Sequence, residues 1–302
     1  MKKSINSLLK LCLIPIIVTG TLTACGDDSG PVGTDPDLTI VEIAASNDNF
    51  SILADLIVNL GLEETLSSGD FTVFAPSDEA FANLPDGLVA SLSNDQLTEI
   101  LSYHVLSQVV LSKDLTLSQI VESLSGEQLW IEADESVLIN GASTVIAADI
   151  EAENGVIHAV DQVLLPNAFV DVVDIAAKDF NLSTLVELVI EAGLVESLKS
   201  EGPFTIFAPV NSAFEEISET LETLTQEQVT NVLTFHVVPQ RILSTDLTPQ
   251  QTVETVNGEE LEIVVDGESV TVNGTTSVIT VDLEGTNGVI HLIDGVLIPS
   301  NL

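Results

Sequence analysis

The sequence predicts an α+β fold that occurs twice in tandem. Three observations support this: helical hydrophobic periodicity in the first part of each half, strand patterns with tight turns in the second part, and an internal repeat. Matching segments, such as FTVFAPSDEAF (71–81) and FTIFAPVNSAF (204–214), are separated by 132 or 133 residues throughout. A constant offset indicates two domains of about 130 residues each, which we place at residues 38–168 and 169–302.

The first 24 residues are expected to be a secretory signal that is removed. Lysines precede or interrupt a short apolar stretch, LLKLCLIPIIVTG, which ends in Leu22-Thr23-Ala24-Cys25. This ending resembles the lipobox of bacterial lipoproteins, in which the cysteine is lipidated; an ordinary signal peptide with an incidental Cys25 is the alternative. Residues 25–37 then form the lipidated cysteine and a flexible tether, because they are rich in Gly, Pro, Asp and Ser.

The chain is strongly acidic, with a formal net charge of −40 from 47 acidic and seven basic residues. Removal of residues 1–24 leaves four basic side chains: Lys113, Lys178, Lys199 and Arg241. The negative electrostatic field of so many acidic groups repels phosphate backbones, so nucleic-acid binding is not expected. Adaptation to a salty medium is the favoured reading of the acidity, and a basic or cationic partner is the alternative.

Each copy begins with amphipathic helices. Residues 51–62 place five apolar side chains on one helical face: Ile52, Leu53, Leu56, Ile57 and Leu60. Gly61 follows at the point where a helix would end, and residues 182–193 repeat the pattern. A later helix begins in each copy with a capping box, SNDQ (93–96) and TQEQ (225–228).

The second part of each copy is predicted to form antiparallel strands. LEIVV (261–265) and residues 268–272 flank Asp266-Gly267, a favoured hairpin turn. Asn273-Gly274 predicts a further turn, and Asn140-Gly141 predicts the same turn in the first copy. Helices first and antiparallel strands second give the α+β assignment.

Each copy closes with one phrase, NGVIHAVDQVLLP (154–166) and NGVIHLIDGVLIP (287–299). Its apolar residues fall on both faces, which predicts a central, buried strand. We expect this strand to run to Pro166 and Pro299, because proline has no backbone N–H to donate to a neighbouring strand.

The chain has four histidines, and all lie on apolar stripes: His104, His158, His236 and His291. A histidine in this setting is usually a half-buried residue whose ring nitrogens are satisfied by nearby groups, and we favour that role over a ligand or catalytic one. Asp161 and Asp294 are flanked by apolar residues, so we expect them to accept hydrogen bonds from the backbone or from the Tyr/His region.

Three motifs occur in order within each copy. The first copy has FTVFAPSDEAF, YHV and NGVIHAVDQVLLP, and the second has FTIFAPVNSAF, FHV and NGVIHLIDGVLIP. Over residues 38–302 the chain therefore resembles two tandem fasciclin-like (FAS1) domains. The resemblance implies that each domain is a wedge of two antiparallel β-sheets with packed helices. It also implies an extracellular or surface-anchored protein that acts in adhesion or matrix contact and is not an enzyme.

The resemblance also implies site residues. In adhesive animal members, partner binding is attributed to an Asp-Ile pair just before NGVIH and to the Tyr-His motif; these are Asp149-Ile150 and Tyr103-His104 here. The second copy has Asp282-Leu283 and Phe235-His236. A role that needs the phenol hydroxyl does not extend to Phe235. Because the lipobox implies a bacterial protein, only a generic contact surface carries over, not the animal receptor.

Signatures of catalysis and of metal binding are missing from the sequence. It contains no Gly-x-Ser-x-Gly, no His-Glu-x-x-His and no phosphate loop. With Cys12 removed and Cys25 lipidated, no thiol is left for a disulfide, a metal or a nucleophile. We expect no cofactor and no metal site. The single tryptophan, Trp130, could stack on a sugar, but packing within the strand LWI is favoured.

Two functional hypotheses follow. The first is a cell-surface lipoprotein whose paired domains act as an adhesion or interaction module. Its partners would be a surface or matrix protein or a polysaccharide, with the membrane contacted through the N-terminal lipid only. The alternative is an envelope or periplasmic binding protein that holds a small apolar or glycan ligand in a cleft of the wedge. Both place the protein in the bacterial cell envelope, lipid-anchored at the outer membrane or cell surface.

Overall fold

The computed structural model describes residues 37–85, 87–267 and 269–302. The signal, the two cysteines and the tether up to residue 36 lie outside the described residues, and so do the predictions made for them. Both copies of the repeat belong to a single contact unit.

Within the described residues, the first domain has six α-helices and seven strands. The helices α1 to α6 are Ile40–Ser46, Ser51–Leu60, Glu63–Ser67, Asp78–Ala82, Leu88–Ser91 and Asn94–Tyr103. The strands β1 to β7 are Phe71–Pro76, Val105–Leu106, Ser118–Glu122, Gln128–Ala133, Val137–Ile139, Ser143–Ala152 and Gly155–Val160.

The second domain repeats this order. The helices α7 to α12 are Val172–Lys178, Ser183–Glu191, Val195–Leu198, Asn211–Glu216, Ser218–Leu221 and Gln226–Phe235. The strands β8 to β14 are Phe204–Pro209, Val237–Val238, Gln250–Glu254, Glu260–Asp266, Ser269–Val272, Thr276–Gly285 and Gly288–Ile293. The α+β prediction is confirmed.

Each domain contains one seven-stranded sheet, in the order β2-β1-β7-β6-β5-β4-β3 and β9-β8-β14-β13-β12-β11-β10. The pairings are antiparallel except that β1 runs parallel to β7 and β8 parallel to β14. The antiparallel expectation missed this pairing, because it joins segments far apart in sequence. The long strands β6 and β13 carry register shifts, and bulges of this kind bend a strand. The bend divides each sheet into the two halves of the wedge.

Two apolar cores lie on opposite faces of the central strands. Along β1, Val73 and Ala75 pack towards the helices, and Phe74 packs into a second cluster inside the wedge. Because both faces are covered, β1 and β14 are buried along their whole length. This confirms that the NGVIH phrase forms a central, buried strand.

The helix ends and the hairpin turn that were predicted from short sequence motifs are present in the structure. Helix α2 ends at Gly61, whose φ of +67° is the left-handed conformation that favours glycine. Both predicted capping boxes are present, at Ser93 and Thr225. The hairpin between β11 and β12 forms as expected, with Asp266 opposite Ser269.

The expected end of the NGVIH strand was wrong. Strand β7 ends at Val160 and β14 ends at Ile293, well before the prolines. The carboxylate of Asp161 accepts a hydrogen bond from the Thr144 amide at 2.7 Å, and the Asp161 amide donates to the Thr144 carbonyl. The Thr144 amide thus donates to the Asp161 side chain and not to a backbone carbonyl of β7, and the regular pairing of β6 with β7 ends here. Asp294 does the same with Ser277, which confirms that both aspartates accept from the backbone.

Candidate functional site

Asp149 connects the bulge of β6 to a neighbouring loop. Its φ is +56°, and its carboxylate accepts hydrogen bonds from the amide of Ser112 at 2.8 Å and from the Ser112 hydroxyl. Burial alone would raise the pKa of this carboxyl, but the bonds from Ser112 and the nearby His158 and Lys113 leave it lowered. Asp149 is therefore an ionised residue that ties the bulge to the short 3-10 turn at Ser112.

Asp282 repeats this arrangement in the second domain. It has a φ of +59° and accepts from the amide of Ser244 at 2.8 Å and from the Ser244 hydroxyl. The aspartate of the predicted partner-binding pair is a structural connection in both copies.

The histidines of the NGVIH phrases complete this connection. In the first domain, Nδ1 of His158 accepts from the Asp149 amide at 3.2 Å, so Nε2 carries the proton and donates to the Val110 carbonyl at 2.9 Å. The ring stacks on Phe74 with centroids 5.7 Å apart, and burial lowers its pKa. His291 makes the same bonds to Asp282 and Ile242. These rings are satisfied structural groups, as predicted.

The Tyr-His motif lies in a different network. Tyr103 is fully buried; its hydroxyl donates to the Gln128 carbonyl and accepts from Asn140 Nδ2, each at 3.0 Å. Burial raises its pKa. His104 follows helix α6, donating from Nδ1 to the Ile100 carbonyl at 2.7 Å and accepting from the Leu164 amide at 2.9 Å. Burial lowers the pKa of His104 to about 4, so the ring is neutral.

Phe235 and His236 occupy the matching positions in the second domain. Phe235 is buried in the inner core, and His236 bonds the Val232 carbonyl and the Leu297 amide. Burial again lowers the histidine pKa to about 4.

The structure thus separates the predicted site residues into two networks. Five of the eight are buried: Tyr103, His104, Ile150, Phe235 and His236. Asp149, Asp282 and Leu283 are partly exposed. The partner-binding role stays a prediction, and the five buried side chains are not accessible to a partner in this structure.

Exposed apolar residues lie directly beside Asp149, and sequence reasoning did not find them. Ile146, Ala147 and Ala148 occupy the bulge of β6, and the Ile146 side chain is 57 % exposed. We call these three residues the β6 bulge strip. Its counterpart in the second domain, the β13 bulge strip, is Ile279, Thr280 and Val281, with Ile279 53 % exposed.

The two strips differ in their surroundings. Ile279 and Thr280, with Leu283, line a cleft of about 470 Å³ between the domains, across from Ile120 and Trp130 of the first domain. Trp130 is buried, which confirms packing over sugar stacking. Asp179 also lines the cleft, and burial raises its pKa although hydrogen bonds from Asn181 favour the charged form.

Lys178 joins the two domains. From the end of α7, its Nζ donates to the Leu165 carbonyl at 2.7 Å and to Asn167 Oδ1 at 2.9 Å. Burial lowers the pKa of Lys178 to about 8, although the carboxylates of Glu127 and Asp174 act in the opposite direction. The close approach extends to Gly141, where a Cβ atom would lie 2.6 Å from the Ala177 carbonyl oxygen.

Differences between the copies mark this interface. Where the first domain has Ile120 and Trp130, the second has the exposed Thr252 and Glu262; where the second has Lys178, the first has the exposed Ser46. Comparison of the two copies could have indicated this interface from the sequence, because Trp130 and Lys178 each differ in chemical type from the matching residue of the other copy. From the sequence, Trp130 was predicted to pack within its strand, and its position between the domains was not predicted.

Three of the four basic residues in the described part of the chain bond to other groups of the protein. Besides Lys178, Lys199 pairs with Asp171 and Asp174, and Arg241 pairs with Glu284. Among the described residues, no group of three or more His, Cys, Asp or Glu side chains is arranged to hold a metal ion. In the same part of the chain, no helix is long and apolar enough to cross a membrane.

Comparison with known proteins agrees with this architecture. The fasciclin domain family matches residues 48–166 and 180–299. A FAS1 domain pair from the insect cell adhesion molecule Fasciclin I superposes with a TM-score of 0.61 at 21 % identity, covering 84 % of this chain and 98 % of that one. At this identity the likeness concerns the fold.

Curated relatives include animal and cyanobacterial proteins. Human periostin is 34 % identical over 79 % of this chain, and pig transforming growth factor-beta-induced protein ig-h3 is 34 % identical over 77 %. The chain spans only 29 % and 35 % of the lengths of these two proteins. Protein sll1483 from Synechocystis is 44 % identical over 44 % of this chain and 76 % of its own length. The chain belongs to the fasciclin domain family and carries two tandem copies of the domain.

Proposed function

We propose that this protein is a surface-anchored adhesion or interaction module and not an enzyme. The support is the fixed pairing of two fasciclin domains, an arrangement also found in the insect cell adhesion molecule Fasciclin I. The expected partner is a surface or matrix protein or a polysaccharide. Nucleic acid is an unsuitable partner because the acidic surface would repel its phosphates.

The β6 bulge strip is the proposed contact surface. The exposure of its apolar side chains is the observation that carries the proposal. Its apolar side chains are exposed on a bulge whose shape Asp149, Ser112 and His158 maintain. Bulges commonly re-aim side chains at functional positions. The predicted site residues then act by positioning, and the partner meets Ile146 and its neighbours.

Anchoring is proposed to occur through lipid on Cys25, in the bacterial cell envelope at the outer membrane or the cell surface. Metabolic labelling with an alkyne fatty acid tests this directly. We expect label on the full chain and none on Cys25→Ser, which should also leave the membrane fraction. Equal labelling of both forms would contradict the anchor.

The contact surface can be tested with a matched pair of variants. Cells that display the full chain would be compared for aggregation and surface attachment with cells that carry Ile146→Glu or Ile279→Glu. Both side chains are more than half exposed, so neither change should disturb folding. We expect Ile146→Glu to reduce attachment several-fold and Ile279→Glu to have the smaller effect. If deletion of both domains leaves attachment unchanged, the adhesion proposal is wrong.

Asp149 allows the positioning role to be examined separately. Asp149→Asn keeps an acceptor and tolerates a positive φ, whereas Asp149→Ala loses both advantages. Alanine should therefore cost about 1–3 kcal/mol of stability and lower attachment, with asparagine recovering most of both. Equal attachment by both variants and the wild type would remove Asp149 from the proposal.

A further inference from the structure

The second domain contains an apolar cavity of about 320 Å³ that the adhesion proposal does not use. It lies between helices α7 to α9 and strand β8. Its walls are mainly aliphatic and include Val172, Val189, Leu198, Phe204, Ile206 and Leu233. This volume is at the lower end of the roughly 300–1,000 Å³ typical of small-molecule sites.

The cavity offers little polar chemistry. None of its lining residues is charged, and the polar ones are Ser197, Thr234 and His236. The Thr234 hydroxyl already donates to the carbonyls of its own helix, and both ring nitrogens of His236 are bonded. A charged group placed here would lose its hydration without gaining a partner.

The cavity communicates with the surface. Ile190 on α8 and Val256 after β10 both line it, and they are 59 % and 49 % exposed. The helices that form this side also carry the exposed carboxylates of Glu187, Glu191 and Glu196. Their field opposes the approach of an anion.

Several core side chains near the cavity differ in size between the two domains. At matching positions the first domain has Ile40, Phe50 and Ile57, and the second has Val172, Leu182 and Val189. Other positions change in the opposite direction, from Ala54 to Val186, from Val73 to Ile206 and from Ala159 to Leu292, so these substitutions do not by themselves account for the cavity.

From the aliphatic walls, the exposed rim and the absence of any charged lining residue, we propose that this cavity binds a small, uncharged apolar molecule. The site is independent of the bulge strip, and its failure would leave the adhesion proposal untouched. Occupation returns the van der Waals contacts that the walls of an empty cavity lack. A neutral ligand can enter without leaving a buried charge unpaired. The cavity should therefore bind it more tightly than a fatty-acid anion of the same length.

The test uses the full chain with n-decanol and decanoate, which share one alkyl chain and differ in charge. Bound Nile red reports occupancy at pH 8, where decanoate is ionised. We expect n-decanol to displace the dye saturably, and decanoate to be at least about tenfold weaker because of the cost of burying its charge. Equal displacement by both ligands, or no saturable displacement by n-decanol, would overturn the proposal.

Two rim variants localise the site. Ile190→Glu places a carboxylate at the mouth, and Val58→Glu makes the same change at the matching, 57 % exposed position of the first domain. We expect Ile190→Glu to weaken n-decanol binding about tenfold, and Val58→Glu to leave it within about twofold of the wild type. An effect of Val58→Glu as large as that of Ile190→Glu, or no effect of Ile190→Glu, rejects a site in the second domain. Because both positions are exposed, loss of folding should not obscure the result.

Discussion

The ammonium group of Lys178, in the second domain, lies 5.6 Å from the centre of the Tyr103 ring, in the first. This cation–π contact joins the Tyr-His motif of one domain to the first helix of the next. Lys178 is also one of the few basic residues in a chain with 47 acidic ones, and it is buried. The two domains are therefore joined at a lysine that lies inside the protein.

Replacing Lys178 should weaken the coupling between the domains. Lys178→Met keeps most of the side-chain length but leaves the Leu165 carbonyl and Asn167 Oδ1 without their donor, at a cost of about 1–3 kcal/mol. In calorimetry we expect one transition for the wild type and two for the variant. Lys199→Met, which removes a partly exposed ion pair, should cost only about 0–1 kcal/mol and keep one transition. A single unshifted transition for Lys178→Met would show that the contact is dispensable.

Lys178 also predicts a response to alkaline pH. Its pKa is about 8 in the folded protein and 10.5 when unperturbed, so the unfolded chain binds more protons between these values. Stability should therefore rise as the pH increases from about 8 towards 9.5, within a limit of about 3 kcal/mol for the complete shift. Chemical denaturation at several pH values measures this. The rise should be missing in Lys178→Met, and a rise of equal size there would assign it to other groups.

The contribution of the Tyr103 hydroxyl to stability can be tested against Phe235, the matching residue of the second domain, which has no hydroxyl. Tyr103→Phe leaves the buried Asn140 amide and the Gln128 carbonyl without a partner, so we expect a loss of about 1–3 kcal/mol. Phe235→Tyr adds a hydroxyl where the matching residues are Glu260 and Asn273, and its effect should stay within about 1 kcal/mol. Denaturant titration of both variants decides the question. A loss for Tyr103→Phe no larger than the change for Phe235→Tyr would contradict the role given to the hydroxyl.

The buried histidines predict weakening in acid. His104 and His236 have pKa values of about 4 in the fold and 6.5 when unperturbed, so the unfolded chain binds more protons between pH 6.5 and 4. Each ring should remove up to about 3 kcal/mol as the pH falls through this window. Protonation of mutually repelling carboxylates acts in the opposite direction, so the comparison must be with His104→Gln. The difference in stability between wild type and variant should shrink towards pH 4; a constant difference would contradict the histidine origin.

The acidity itself can be tested with salt. Simple screening is nearly complete at about 1 M, where the Debye length is about 3 Å. If the surface is adapted to a salty medium, the Tm should keep rising between about 1 and 3 M KCl. A flat Tm over this range would favour a basic partner instead.

The sequence by itself determined the repeat, the class of fold and several element ends. The capping boxes at Ser93 and Thr225 and the turn at Asn273-Gly274 depend on residues within a few positions of one another, so their pattern is visible in the chain. The family motifs are likewise contiguous. Histidines on apolar stripes were correctly assigned as structural because burial follows from periodicity.

Only the tertiary structure decided which residues of the predicted site are buried and which of their neighbours are exposed. The burial of Tyr103 and Ile150, the exposure of Ile146 and the insertion of Lys178 between the domains all depend on contacts between distant segments. The parallel pairing of β1 with β7 and the cavity beside α8 have the same origin. Periodicity shows that a side chain lies on an apolar face, but the element that covers this face is set by long-range packing.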